Sequence, residues 1–327
     1  MTKDFLIYRL PNSPIVMLNG KLENASLSEM SEGFIFSSDK GSEIYRFNGE
    51  PTIEFPTEFH FNTSKPYVIS TKEYMLQAHS LLNGMHQLQI PKVVFSRVKK
   101  VSFDSQKLKQ LFYELCENYP KAAIYFVSSK KTGTWFAASP ELLLEIHGKE
   151  LFTMSLAGTK KINSKDEPWG QKELSEQQYV TDFIIEKLKK NNVEFIDVIG
   201  PYDVEAGPVI HLKTDISGKI TTTSIHEIIS SLHPTPAVSG VPRNDAQLLI
   251  QMLEHHSREL YTGFFGYFSN NSARLYVNLR CAQVIDNEVF LYLGGGFTLE
   301  SIPELEFDET ENKSKTLIKY MELVSRK

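Results

Sequence analysis

Between Ala122 and Gly158 the chain reads AAIYFVSSKKTGTWFAASPELLLEIHGKELFTMSLAG. Four apolar runs of strand length stand there, AAIYFVSS, TWFAAS, ELLLEI and LFTMSLAG, with breaks of only a few residues between them. A parallel pair of strands needs a crossover of about a dozen residues, so breaks this short point to antiparallel strands joined by hairpins. Residues 1 to about 65 have the same texture, in FLIYRL, PIVML, GFIFSS and EIYRF. It returns in PKVVFSRVKKVSF, VEFIDVIG, PVIHLKTDISG, ARLYVNLRCAQVI and VFLYLGGG.

Helical periodicity lies between these groups. It covers Ser70 to about Leu88, with a serine or threonine cap, and Gln106 to Asn118, where Leu108, Leu111, Phe112 and Leu115 share a face. Further helices are expected over Glu173–Lys190, Thr223–Leu232, Asp245–Leu260, and from about Asp308 to the C-terminus. Strand groups with helices between them predict an α+β fold with large antiparallel sheets.

The 327 residues suffice for one large domain or two moderate ones. A net charge of −5 argues against nonspecific binding to nucleic acid or to an acidic membrane. Two cysteines, Cys116 and Cys281, build no disulfide framework and fit a reducing compartment. The first residues meet an aspartate and a proline before any run of signal-peptide length, and no stretch approaches about 18 apolar residues. A soluble cytoplasmic protein is expected. No helix shows an apolar outer face demanding a partner, so a monomer is the default.

The chemistry starts at GGGFTLESIPELEFDETENK, residues 294–313, where three glycines lead into six carboxylates and a final lysine. Glu306, Glu309 and Lys313 fall at i, i+3 and i+7, one face of a helix. In EQQYVTDFIIEKLKK, Glu176 sits one turn before Val180, on the apolar stripe of Val180, Phe183, Ile184 and Leu188. A core-facing carboxylate is neutral, paired or metal-bound. A frayed first turn reaching solvent explains it equally well. Two inward glutamates from different helices suit Mg²⁺, which takes one or two carboxylates, waters and an anionic substrate. The nine histidines are scattered and show no zinc spacing.

Arg280 emerges from YVNL as a carboxylate-binding arginine does, or as a strand-end surface arginine. Lys92 opens PKVVFSR beside Val93, Val94 and Phe95; it is a base with a lowered pKa or an ordinary strand-entry lysine. Glu141 heads ELLLEI and is a proton donor or a surface glutamate. LAGT (156–159) and LGGGF (293–297) offer backbone N–H groups without a nucleotide-binding pattern, and HPTPAVSG (233–240) is a proline-stiffened wall.

In this order PKVVFSR, SPELLL, LAGT, KELSEQQYV, HLKT, LHPTPAVSGVPR, RELYTGFFGY, VNLRCA, LGGGF and PELEFDETENK resemble the chorismate-utilising enzymes, most closely the isochorismate synthases. The likeness covers about residues 85–320, and the first 80 look like an abbreviated N-terminal sheet region. It implies one domain over residues 1–327, with two big antiparallel sheets flanked by helices and the site between them. It implies Lys92 as the base activating water and Glu141 as the acid protonating the departing hydroxyl. Glu176 and Glu309 match Mg²⁺ ligands, with Glu306 near the metal through water. Arg280 and Tyr261 match groups holding a substrate carboxylate. Gly158, Thr159, His211, Ala237, Gly294 and Lys313 match further substrate contacts.

The implied reaction converts chorismate to isochorismate by moving a hydroxyl from C4 to C2, without a redox cofactor. Within the resemblance, Lys92, Ala157 and Ala237 stand on the isochorismate side. Amination enzymes lack the lysine, and salicylate synthases tend to threonine at position 237. Departures are GGGF for GAGI, Gln177 for histidine and Phe307 for tryptophan. A salicylate synthase, which eliminates pyruvate from isochorismate, and a non-catalytic chorismate-binding protein are the rival readings. Isochorismate feeds menaquinone, siderophore or salicylate formation, and the motifs are common to all three.

Overall fold

The structure is a computed structural model, and it describes residues 3–30, 32–206 and 209–326. Pro208 and Lys327, the ends of an expected strand and helix, lie outside them. The chain begins with strands β1 (Asp4–Arg9), β2 (Val16–Ala25), β3 (Glu32–Ser37) and β4 (Ile44–Pro51). Then come α1 (Thr71–Leu88), β5 (Lys92–Ser102), α2 (Leu108–Asn118), β6 (Ala123–Ser129), β7 (Gly133–Ser139), β8 (Leu142–His147) and β9 (Glu150–Lys161). Helix α3 (Gln171–Lys190) precedes β10 (Val193–Ala206), β11 (Val209–Ile220), α4 (Ile225–Leu232), the two-residue β12 (Gly240–Val241) and α5 (Arg243–Leu253). The chain closes with β13 (Phe264–Ser269), β14 (Ser272–Val277), β15 (Cys281–Ile285), β16 (Glu288–Thr298) and α6 (Pro303–Arg326).

The α+β class is borne out, and every strand pairing is antiparallel. The strands form one hydrogen-bonded order, β10-β11-β9-β8-β14-β13-β3-β4-β2-β1-β6-β7-β15-β16-β5-β12. The two large sheets expected are thus one continuous 16-stranded sheet, whose two ends, β10 to β13 and β6 to β12, are bridged by the four N-terminal strands. Helices α3 and α4 share an apolar core with the first half, centred on Val180, Ile184, Leu188, Ile216 and Ile228. Helices α2 and α6 cover the second half through Leu108, Leu111, Phe112, Leu115, Leu317 and Met321, which includes the predicted face of α2.

Three sequence expectations shift. The break Ser139–Glu141 is not a hairpin: β7 pairs with β6 and β15, while β8 pairs with β9 and β14. The helix expected over Asp245–Leu260 begins at Arg243 and stops at Leu253, where the Glu254 carboxylate turns inward to accept from the Ser96 N–H at 2.7 Å. Helix α6 begins at Pro303, five residues before Asp308, with proline in the first turn, where its missing N–H costs nothing. The acidic stretch is therefore helical almost throughout. Among the described residues no helix is long and apolar enough to cross a membrane.

Candidate active site

The chain passes from one sheet half to the other at β7→β8 and again at β14→β15, and each crossing carries a candidate residue. Pro140 and Glu141 make the first passage, where the Val277 N–H donates to the Glu141 carbonyl at 3.0 Å. Asn278, Leu279 and Arg280 make the second, with Arg280 at φ +47°, a left-handed conformation rare outside glycine. The turn throws the arginine side chain into the seam.

One cavity occupies this seam. Glu141, Gly158, Thr159, Glu176, His211, Ala237, Tyr261, Arg280, Gly294 and Lys313 all line it. They come from opposite ends of the strand order, so the sheet folds back on itself here. Lys92 lies behind this wall, wholly enclosed, with Nζ 3.1 Å from Glu176 Oε1. Glu306 and Glu309 line an adjoining cleft with Lys172 and Glu173, and Thr159 belongs to both spaces. Twelve of the thirteen expected site residues thus line two adjoining spaces, and Lys92 lies behind their wall. The glycines explain the close packing. A Cβ on Gly296 would stand 2.1 Å from Glu176 Oε1, and one on Gly294 would stand 2.6 Å from the Tyr261 hydroxyl.

Lys92 and Glu141 are shifted in opposite directions by the same cause. Burial holds the Lys92 ammonium below the usual lysine range, against the attraction of Glu176 and Glu141. Burial pushes the Glu141 carboxyl up to about 7, against the pull of Lys92, Lys313 and Arg280. Each group is driven toward its neutral form, which is the form a general base and a general acid need.

The Arg280–His211 pair is oriented by hydrogen bonds. His211 Nδ1 is 3.1 Å from the Gly158 carbonyl, which can only accept, so the proton sits on Nδ1. Nε2 is then free to accept from Arg280 Nη2 at 3.3 Å. Burial, reinforced by Arg280 and Lys313, pulls the His211 pKa down to about 3, which keeps the ring neutral. Lys313 donates to the Gly294 carbonyl at 2.9 Å and pairs with Glu309 at 2.5 Å. The cavity therefore presents a guanidinium and an ammonium, suited to an anionic ligand.

Each carboxylate assigned to a metal meets a lysine: Glu176 with Lys92, Glu306 with Lys172 at 2.5 Å, and Glu309 with Lys313. Burial and then Glu309 raise the Glu306 carboxyl to about 7, against Lys172. Burial would raise Glu309 too, but Lys313 and Lys172 outweigh it and its carboxyl stays low. Burial works to lower Lys172, and Glu306, Glu309 and Glu176 together more than reverse it, so this ammonium senses all three carboxylates. Among the described residues no three acidic or imidazole ligands close on one point. A Mg²⁺ ion does not demand three, and the buried Glu306 Oε2 has no hydrogen-bond partner. An oxygen-rich, cation-attracting set with an unused buried lone pair fits a hard divalent ion.

Sequence reasoning missed Lys172 and Glu173, because a Lys-Glu pair in the first turn of a helix reads as surface. Of the departures, Gly295 stays at the site, where a Cβ would stand 3.1 Å from Glu306 Oε2, while Gln177 and Phe307 turn to neighbours outside the cavity. Gln177 donates to Ser155 Oγ at 2.8 Å and Thr214 Oγ1 at 3.0 Å, and Phe307 stacks under Arg97 at 4.3 Å.

The chain belongs to the chorismate binding enzymes, whose family profile matches residues 36–322. The vibriobactin-specific isochorismate synthase of Vibrio cholerae is 28% identical over 262 residues, covering 76% of this chain and 66% of that protein. Isochorismate synthase EntC of Escherichia coli is 30% identical over 243 residues, covering 70% of this chain and 62% of that one. The matches thus span somewhat less than two thirds of these relatives. A Bacillus anthracis crystal structure assigned as a 2,3-dihydroxybenzoate-specific isochorismate synthase superposes with a TM-score of 0.82 at 25% identity. It covers 99% of this chain and 97% of its own.

Proposed function

We propose that this chain is an isochorismate synthase, a Mg²⁺-dependent isomerase acting on chorismate as a single catalytic domain, cytoplasmic and monomeric. The observation that carries this reading is the pair Lys92 and Glu141, one enclosed behind the cavity wall and the other lining it, with pKa values driven toward each other. The named isochorismate synthases among its relatives support the same reading.

Neutral Lys92 takes a proton from the water that adds to C2 of chorismate. The ring double bonds shift, the C4–O bond breaks, and protonated Glu141 gives its proton to the departing hydroxyl. One water enters and one leaves, so the net change is isomerisation. Arg280 and Tyr261 hold a substrate carboxylate, with His211 keeping Arg280 in place. Gly158, Thr159, Gly294, Lys313 and Ala237 shape the rest of the cavity. Glu176 and Glu309, with Glu306 nearby, would hold Mg²⁺. Bound there, the ion supplies positive charge against the substrate dianion.

The test is to incubate the purified chain with chorismate, Mg²⁺ and an ammonium salt and to separate the products by chromatography. Isochorismate alone is expected, and a chelator should stop its formation. Pyruvate release with salicylate would make the chain a salicylate synthase, and an aminated product would place it with the amination enzymes. Chorismate bound but recovered unchanged would leave a binding protein. A rate unaffected by the chelator would remove the metal.

A further inference from the structure

The motif RELYTGFFGY supplies Tyr261 to the cavity, but its first residue does more than hold a loop. Arg258 is buried, 6% exposed, and its guanidinium makes four bonds to three parts of the chain. Nε and Nη2 donate to the two oxygens of Glu254 at 2.8 and 2.6 Å. Nη2 also donates to the Val94 carbonyl at 2.7 Å, and Nη1 to the Val238 carbonyl at 2.9 Å. Glu254 Oε1 in turn accepts from the N–H and the hydroxyl of Ser96, at 2.7 and 2.8 Å.

The two carbonyls belong to cavity walls. Val94 lies two residues along β5 from Lys92, and Val238 follows Ala237; both valines line the cavity. The Val94 N–H donates to the Ser239 carbonyl at 2.8 Å, and β12 pairs Gly240 with Val93 and Val241 with Lys92. The third wall is tied in as well, because the Tyr261 N–H donates to the Arg258 carbonyl at 2.8 Å. The Arg258 side chain therefore sets the spacing between the strand bearing the base and the segment bearing Ala237, and its guanidinium lies 5.9 Å from the centre of the Tyr261 ring that its backbone carbonyl ties in.

We propose that Arg258, held by Glu254, is the positioning residue of this site: it fixes Lys92 and Tyr261 relative to the wall at Ala237. Arg258 does not line the cavity, so its main effect should fall on turnover through Lys92, with only a small effect on binding through Tyr261. A planar fork that spans a carboxylate and two carbonyls cannot be replaced by a single ammonium. The proposal rests on the isochorismate synthase reading with Lys92 as base.

The experiment compares Arg258→Lys, Arg258→Met and the double variant Glu254→Met/Arg258→Met. The double variant leaves no unpaired buried charge and is the one expected to fold if the single methionine variant does not. Circular dichroism and a thermal melt check folding, and kcat and KM for chorismate are measured on the folded fraction. We expect kcat to fall about a hundredfold in the double variant and about tenfold in Arg258→Lys, with KM within about threefold of wild type. A folded double variant with kcat within twofold of wild type would overturn the proposal. So would loss of fold in all three, which would make the pair a requirement of the fold alone. Lys92→Ala serves as the control: full activity there removes the base assignment, while the effect of Arg258 on kcat is still read.

Discussion

Two buried ion pairs lie a few residues apart along β5, and they are built for opposite ends. In Glu254–Arg258 every guanidinium nitrogen and both carboxylate oxygens have a hydrogen-bond partner, and the charges are locked. Burial would raise the Glu254 carboxyl, but Arg258 outweighs it and holds it low. Arg258 itself is raised by Glu254 against its own burial. In Lys92–Glu176 the ammonium is wholly enclosed, its 3.1 Å contact is not aligned as a hydrogen bond, and burial wins over attraction. Burial costs a charge several kcal/mol, and only a complete set of hydrogen bonds repays it. The satisfied pair stays ionised and positions its surroundings. The unsatisfied one is left able to give up its proton.

The sharpest break of this comparison is Lys92→Ala. General acid–base catalysis contributes about 10²- to 10⁴-fold, and isochorismate formation should fall by that much with the fold retained. Glu141→Ala should do the same. The wild-type rate should also fall toward low pH, as Lys92 gains its proton, and above about 7, as Glu141 loses its own. A pH-independent rate would show that neither group titrates in the working complex.

A smaller effect is expected from Arg280→Ala. Its guanidinium faces the cavity beside Lys313 and is steadied by a neutral histidine. A charge-assisted hydrogen bond is worth about 1.5–3 kcal/mol, so kcat/KM should drop roughly ten- to hundredfold. Wild-type kinetics would return Arg280 to the status of a strand-end residue.

Local features were legible in the sequence where one signal acted alone. Ser70 caps α1 by accepting from the Glu73 N–H, as its position before the helical run implied. The stripe of Leu108, Leu111, Phe112 and Leu115 is buried as a unit. The end of α5 was not legible, since Leu253 and Leu260 continue the helical period and nothing in the order Glu254–Arg258 says that the pair turns inward. On a helix that i, i+4 spacing reads as a solvent-exposed pair. The sheet order was hidden too, because β1–β6 and β5–β16 join residues more than a hundred positions apart. The candidate site was read through the resemblance, and its geometry needed the fold: Glu141 and Arg280 matter because the chain changes sheet half at each of them.

The smallest expected effect concerns stability, and it separates the two kinds of buried carboxylate by sign. Glu141 has a folded pKa of about 7 against an unfolded value of 4.5, so the folded state keeps a proton the unfolded state has lost. Its contribution is fully present below 4.5 and is lost as pH rises through 7, amounting to at most roughly 3 kcal/mol. Glu254 has a lowered folded pKa, so its contribution is present above 4.5 and is lost as pH falls through its folded value. Glu141→Gln cannot ionise and should therefore gain on wild type between pH 4.5 and 8, by a few degrees in thermal midpoint. Glu254→Gln should lose on wild type over the same range. Thermal melts of the three proteins at half-unit steps from pH 3 to 8 would show Glu141→Gln pulling ahead of wild type above 4.5 and Glu254→Gln closing on it below 4.5. If Glu141→Gln runs parallel to wild type throughout, Glu141 is solvated and cannot be the proton donor proposed for it.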